Sequence, residues 1–336
     1  MVKARRFIFA KHFVGEPKED DFRLAEEELR PLKDGEILVE AVWLSVDPYM
    51  RAYTVKRPVG TTMFGSQVAR IVDSRSKAYP VGKLVVGHWG WLDKSIVDVE
   101  KQDFTGLPKP YIIPDFQGHP ESLALGILGM PGNTAYFGFL EICRPRAGEV
   151  VVVTGAAGAV GSVVGQIAKI KGCKVIGFAG SDEKVKWLTS ELGFDNAFNY
   201  KTEDIAGVLK TAAPNGVDCY FDNVGGKISS IIINHMNEFG RISVCGSISS
   251  YNADVSKMPE ATILQPAFAS KQLKMEGFLV TRWSDRWMEG INQLLKWIVE
   301  GKLKYHETVT EGFQNMPKAL IKMLRGQNVG KAVVRA

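Results

Sequence analysis

The chain has 336 residues, 45% of them hydrophobic and 24% charged, with a formal net charge of +5. That length suits two domains better than one, and the composition is that of a globular protein with apolar side chains enough for sizeable cores. The basic residues are scattered rather than run together, which speaks against a nucleic-acid surface, while a modest positive field suits an anionic ligand.

The first third reads as β structure. "GEILVEAVWLSVD" (35–47), "QVARIVDS" (67–74) and "VGKLVVGHWGW" (81–91) are Val- and Ile-rich runs between Gly, Pro and Asp breakers. Short strands without a helical period predict a barrel-like β domain. Near residue 122 the pattern changes, and "SLALGILGMPGNTAYFGFLEIC" reads as helix broken at Pro131-Gly132. From Val150 onward strand and helix alternate: "VVVVTG", a helix over about 159–171, "KVIGFAG", a helix over 183–192, "AFNY", and later "VDCYFDNVG", "GRISVCGSI" and "LKMEGFLV". This repetition predicts a parallel, doubly wound sheet. Trp287, Ile291, Leu294, Leu295 and Ile298 then share one face of an amphipathic helix, and "NVGKAVVRA" closes the chain as a strand.

Cys143, Cys173, Cys219 and Cys245 are far apart and form no C-x-x-C or Cys/His cluster. Neither a zinc lobe nor a disulfide framework is expected, and free thiols suit a reducing cytoplasm. The N-terminus, "MVKARRFIFAKHF", has an apolar run too short for a signal peptide. Residues 151–167 are apolar but carry four glycines and split into strand, turn and helix, so no membrane span is expected.

Between "VVVVTG" and its helix stands Ala156-x-Gly158-x-x-Gly161. This is nearly the G-x-G-x-x-G fingerprint, in the strand–turn–helix context that gives the pattern meaning. Gly158 would let the backbone approach a pyrophosphate, Gly161 would permit close helix–strand packing, and the helix N-terminus would face the phosphates. NAD sites place Asp or Glu at the end of the second strand. Here that strand ends "GFAGSDEK", with Gly180 and Ser181 at the turn and Lys184 in the first helical turn. Ser181 or Asp182 reads as the helix N-cap. A small turn followed by a lysine favours a 2′-phosphate, hence NADP, with a solvated surface lysine as the alternative for Lys184. Tyr200, ending "AFNY", would pack beside the same phosphate. Asn223 lies at the carboxyl end of the next strand, and Gly246, Ser247 and Ser249 at that of the one after. Their small size leaves room for a nicotinamide ring at the strand ends where such sheets bind ligands.

In combination, "KHFVG", "VDPYMR", "GMPGNTAYFG", "GAAGAVGSVVGQIAK", "GSDEK", "FNYKT", "DCYFDNVGG", "YNADV" and "EGFQNMP…GQNVGK" span the whole chain. They resemble the zinc-independent prostaglandin reductase branch of the medium-chain dehydrogenase/reductase superfamily. The resemblance implies a GroES-like β domain over 1–125 completed by 300–336, around a Rossmann domain over 126–299. It implies NADPH held by Gly158, Ala159, Val160, Gly161, Lys184, Tyr200 and Asn223. Further contacts would come from the loop of Cys245, Gly246, Ser247, Ile248, Ser249, Ser250 and Tyr251, and from Phe278, Leu279, Val280 and Asn328. It also implies a cytosolic homodimer that reduces the carbon–carbon double bond of α,β-unsaturated ketones and aldehydes, 15-oxo-prostaglandins and alkenals among them, with oxidation of a leukotriene 12-hydroxyl as a second activity. Zinc-dependent members carry Cys and His in the segments where this chain has Ser45 and Gln67, so no metal is expected.

Enone reduction needs a donor to the carbonyl oxygen on which charge develops. Tyr251 is placed first for that role and Tyr49, in "DPYMR", as substrate-orienting; ordinary packing is the alternative for both. Arg51 would draw in a substrate carboxylate, or else form a surface ion pair. Met130 and Thr134, at the expected helix break, would touch the nicotinamide, with core packing as the alternative for Met130. Two rival readings share the fold: an NADPH quinone reductase, and a non-catalytic NADPH-binding structural or RNA-binding relative. The edge strand "LKMEGFLV" would pair with its copy in a dimer.

Overall fold

The computed structural model describes residues 2–101, 106–253 and 262–336. Asp254 and Val255 of "YNADV" lie outside the described residues. The chain divides into two compact units, Met1–Gly126 with Glu307–Ala336, and Ile127–His306.

In the first unit, β1 (Val2–Phe9) and β2 (Phe22–Leu29) form an antiparallel pair. β3 (Glu36–Ser45), β4 (Gln67–Ser74), β5 (Leu84–Gly87), β6 (Lys94–Asp98) and β7 (Tyr111–Ile112) follow. β3 is the spine, antiparallel to β4 along one edge and to β6 along the first half of the other. Its alternate residues Ile37 and Val39 bury against Ile71, Val85 and Val97, the period-two pattern of a strand with one apolar face. A second core gathers Phe7, Phe22, Leu44, Met50, Met63 and Trp91, with Phe22 stacked on Trp91 at 5.4 Å.

The second unit starts with turns and then a helix, Met130–Leu140. Pro131-Gly132 does not break this helix as expected, but opens it. Proline in the first turn forgoes a hydrogen bond that the turn lacks in any case. Gly132 packs so closely that a Cβ there would lie 1.8 Å from the Ile127 carbonyl oxygen. β8 (Val150–Thr154), β9 (Lys174–Ala179), β10 (Asn196–Asn199), β11 (Val217–Asp222), β12 (Met236–Val244) and β13 (Lys274–Gly277) build one sheet in the order β10-β9-β8-β11-β12-β13. All its pairings are parallel. Val151, Val152 and Val153 are fully buried, as a strand covered by helices on both faces requires. The strand order reverses between β8 and β11, and in doubly wound sheets ligands bind at the carboxyl ends beside such a switch point. The helix Trp287–Val299 buries Trp287, Ile291, Leu294, Leu295 and Ile298, as its periodicity predicts.

β14 (Glu307–Glu311) and β15 (Lys331–Arg335) carry the chain back to the first unit. β15 pairs antiparallel with β3 from Trp43 to Ser45, the stretch of that edge which β6 leaves open. Among the described residues no helix is long and apolar enough to cross a membrane.

Candidate active site

The turn after β8 is shaped by two glycines. Gly155 has φ +60°, and a Cβ on Gly161 would lie 2.4 Å from the Gly155 carbonyl oxygen. The positive φ therefore falls on Gly155, one residue before the fingerprint, so Ala156 stands in its first position without strain and is buried. Gly158 Cα sits over the same carbonyl, 3.2 Å from where its Cβ would be. The helix Gly161–Ile170 starts here, two residues later than expected, and the amides of Ser162 and Val163 bond the Gly158 and Val160 carbonyls just before it.

At the end of β9 the N-cap of the helix Asp182–Ser190 is Ser181, whose Oγ accepts the Lys184 amide at 3.4 Å. Asp182 accepts the Asn199 Nδ2 at 2.8 Å instead, which ties the end of β10 to this turn. The Tyr200 ring closes over Gly180, where a Cβ would lie 3.1 Å from the tyrosine hydroxyl. Burial pushes the Lys184 ammonium below its ordinary value and repulsion from Lys201 adds to this, against a smaller pull from Glu183.

The carboxyl end of β11 is organised by Asp222, a buried carboxylate at its tip. Its Oδ1 accepts the amides of Val224 at 2.9 Å and Gly225 at 2.8 Å together with the Thr154 hydroxyl at 3.2 Å, and its Oδ2 accepts Ser229 Oγ at 2.6 Å. Asn223 Nδ2 donates to the Thr154 carbonyl at 2.7 Å, fixing that side chain beside the Gly155 turn. The loop after β12 zips onto the loop after β11: the Cys245 and Gly246 amides bond the Asp222 carbonyl, Ile248 that of Asn223, and Ser249 that of Val224. Ser247 Oγ and Ser250 Oγ bond each other at 3.0 Å. The space beside Gly246 is occupied by the Tyr251 hydroxyl, 2.9 Å from where a Cβ would be, and this oxygen accepts the Ser247 amide at 3.3 Å.

The remaining candidates are placed as follows. Phe278 packs edge-on to Phe221 and Trp283 and covers Gly138, Val280 is buried, and the Leu279 side chain is exposed. Met130 begins its helix, and its carbonyl accepts Thr134 Oγ1 at 2.7 Å. Tyr49, Arg51 and Asn328 belong to the first unit. Tyr49 packs against Tyr53 and Phe64. Arg51 is 3% exposed, and its guanidinium donates to the Gly15 carbonyl at 2.9 Å and lies over the Phe13 ring. Asn328 Nδ2 donates to the Gly330 carbonyl at 2.8 Å. Arg57 lies 4.5 Å above the Phe64 ring, which itself packs against Tyr49.

Sequence reasoning missed Thr154 and Asp222, which hold Asn223 and the Gly225 loop. Ser45 and Gln67, where metal-dependent members have ligands, are spent on Asp47 and on the Gly90 carbonyl. Among the described residues no group of three or more His, Cys, Asp or Glu could hold a metal ion.

Fold and loops together define a dinucleotide-dependent oxidoreductase. A family model described as the N-terminal domain of oxidoreductase matches residues 5–104, and one described as zinc-binding dehydrogenase matches residues 159–297. The chain is 51% identical to prostaglandin reductase 1 of Bos taurus over 340 residues, covering 100% of both. It is 38% identical to the NADP(+)-dependent 2-alkenal reductase of Nicotiana tabacum, covering 99% of this chain and 97% of that one. The crystal structure of CurA in complex with NADPH from Vibrio vulnificus superposes with a TM-score of 0.90 at 38% identity, covering 99% of each chain. The chain belongs to the medium-chain dehydrogenase/reductase family, in its prostaglandin reductase branch.

Proposed function

We propose that this chain reduces the carbon–carbon double bond of α,β-unsaturated ketones and aldehydes with NADPH. The observation that carries the reading is full-length identity of about one half to prostaglandin reductase 1, joined to a β9 end that offers Gly180, Lys184 and Tyr200 in place of an acid. The residues present fit that cofactor. A Cβ on Gly161 would strike the Gly155 carbonyl, so glycine there keeps the helix start close against the turn, and no carboxylate occupies Gly180, where it would repel a 2′-phosphate. Gly158, Ala159, Val160 and Gly161 would hold the pyrophosphate, and Lys184 and Tyr200 the 2′-phosphate. Asn223, the loop 245–251, residues 278–280, Met130, Thr134 and Asn328 would serve the nicotinamide half.

When bound, the nicotinamide supplies the hydride. The chain's part is to stabilise charge on the substrate carbonyl oxygen. Tyr251 is the first choice of donor. Its phenol oxygen accepts the Ser247 amide, and a hydroxyl that accepts one hydrogen bond donates a stronger second one. Tyr49 would orient the substrate. Arg51 is committed to Gly15, so Arg57 is the better cation for a substrate carboxylate. The chain would act as a homodimer joined at β13, the sheet edge on which Met275 is exposed, in a reducing cytoplasm that suits four free cysteines. The test is steady-state turnover with NADPH and NADH against a 15-oxo-prostaglandin, 2-nonenal and a benzoquinone. Enone reduction with strong NADPH preference is expected. Turnover of the quinone alone would assign the rival reductase, and tight NADPH binding without turnover the non-catalytic relative.

A further inference from the structure

The turn that follows β11 is built from residues with little conformational preference of their own. Gly225 has φ +69° and Gly226 φ +67°, so two adjacent glycines stand in the left-handed region. Gly225 is also the N-cap of the helix Gly226–Asn234 and offers no side chain to cap it. Asp222 supplies the missing acceptor from inside. It is 3% exposed, and its Oδ1 takes the Val224 and Gly225 amides while Ser229, within the helix, donates to Oδ2. The Thr154 hydroxyl donates to Asp222 Oδ1 and accepts the Asn223 amide, both at 3.2 Å. The loop after β12 is laid on this turn. The Ile248 amide bonds the Asn223 carbonyl at 3.2 Å, and the Ser249 amide at 3.1 Å and hydroxyl at 2.6 Å both donate to the Val224 carbonyl. Ser247 seats against Gly225, where a Cβ would lie 2.5 Å from its Oγ. The short helical turn Ile248–Ser250 then returns the chain, and the Tyr251 hydroxyl meets the Ser247 amide. The path from carboxylate to phenol is thus a continuous series of hydrogen bonds and close contacts, with backbone groups at most of its steps.

We infer that Asp222, with Thr154, is a positioning residue for the Tyr251 hydroxyl: the carboxylate sets the turn over 223–226, and the turn sets the loop that carries the phenol. The inference rests on the reading of Tyr251 as donor to the substrate carbonyl oxygen. A reacting group misplaced by about 1 Å costs on the order of a hundredfold in rate, so the loss of this carboxylate is read in kcat.

The test is a double-mutant cycle in kcat for 2-nonenal at saturating NADPH, on the full chain, at a temperature where circular dichroism shows each variant folded. Asp222→Ala, Thr154→Val and Tyr251→Phe are measured singly, and the first two also in combination with Tyr251→Phe. Asp222→Ala should lower kcat by about tenfold or more, and Thr154→Val by less. Asp222→Asn should return kcat to within about threefold of wild type, because its amide oxygen still accepts the Val224 and Gly225 amides while its NH2 donates to Ser229 Oγ. In the Tyr251→Phe background, Asp222→Ala and Thr154→Val should each cost less than about twofold, since no hydroxyl is left to place. Losses that multiply in full would give Asp222 a structural part only and overturn the inference, as would an Asp222→Ala enzyme with wild-type kcat. Should Asp222→Ala not fold, the Thr154→Val cycle decides by the same criterion. If Tyr251→Phe lowers kcat and the cycle fails, the inference alone falls. If Tyr251→Phe leaves kcat unchanged, the reading of Tyr251 falls and the inference with it.

Discussion

Lys331 and Asp47 form a buried ion pair in the first unit, Nζ to Oδ1 at 2.7 Å, with side chains only 5% and 6% exposed. The ammonium also donates to the Val46 carbonyl at 2.8 Å, and Ser45 Oγ bonds the other carboxylate oxygen. Glu307 is the cross-strand neighbour of Lys331 on β14 and is itself held by Ser122 at 2.6 Å. Lys331→Met keeps most of the aliphatic stem but strands a charged Asp47 whose side chain is buried. Breaking a buried pair from one side costs about 3–5 kcal/mol, because the remaining charge keeps its desolvation penalty. At about 2–4 °C per kcal/mol for a unit of this size, the melting temperature should fall by roughly 10 °C. Asp47→Asn should be comparably harmful, while the double variant Asp47→Asn/Lys331→Met should recover much of the loss, since neither charge is then buried. Calorimetric melting of the four proteins gives the double-mutant cycle. A Lys331→Met protein that melts within about 2 °C of wild type, or single losses that simply add, would refute the claim that this pair is a coupled, desolvated unit.

Gly165→Ala should destabilise the second unit by about 1–3 kcal/mol in urea denaturation. Its Cβ would lie 1.9 Å from the Phe194 ring, a clash larger than the gain of about 1 kcal/mol in helix propensity. Tyr251→Phe should lower kcat for an enone by tenfold or more with NADPH affinity unchanged, and unaltered turnover removes Tyr251 from the reaction. Burial alone would raise the Glu149 carboxyl, but the Arg241 guanidinium at 2.6 Å and the Arg146 amide outweigh it and hold the group below its ordinary 4.5. A carboxylate with a lowered folded-state value contributes stability that is full above the unfolded value and lost as pH falls through the folded one. Arg241→Gln should therefore move the acid-unfolding midpoint to higher pH in a circular-dichroism titration, and an unmoved midpoint would count against that pair.

Where signals were local, the sequence was legible. The continuous apolar runs of β8, β9 and β11 announce strands buried on both faces, and their alternation with helices leaves few topologies besides the one found. The turn glycines and the Ser181 cap are legible for the same reason: turn geometry and capping act over three or four residues. What stayed hidden depends on distance. β2 reads "FRLAEEEL", a mostly exposed strand whose identity comes from pairing with β1. Asp47 and Lys331 stand 284 positions apart, and neither type hints at burial until the fold supplies the other. Arg51 illustrates the limit from the opposite side. Its place two residues after Tyr49 suggests a substrate cation or a surface ion pair, and only the fold shows the guanidinium buried, donating to the Gly15 carbonyl and lying over the Phe13 ring. Asp222 was in plain sight within "DCYFDNVGG", but only the convergence of two strand ends reveals a carboxylate accepting two amides and two hydroxyls. Motifs of this kind name the residues that would meet the ligand. The residues that hold those in place are chosen by the pairing of distant strands, and become visible only when the strands have met.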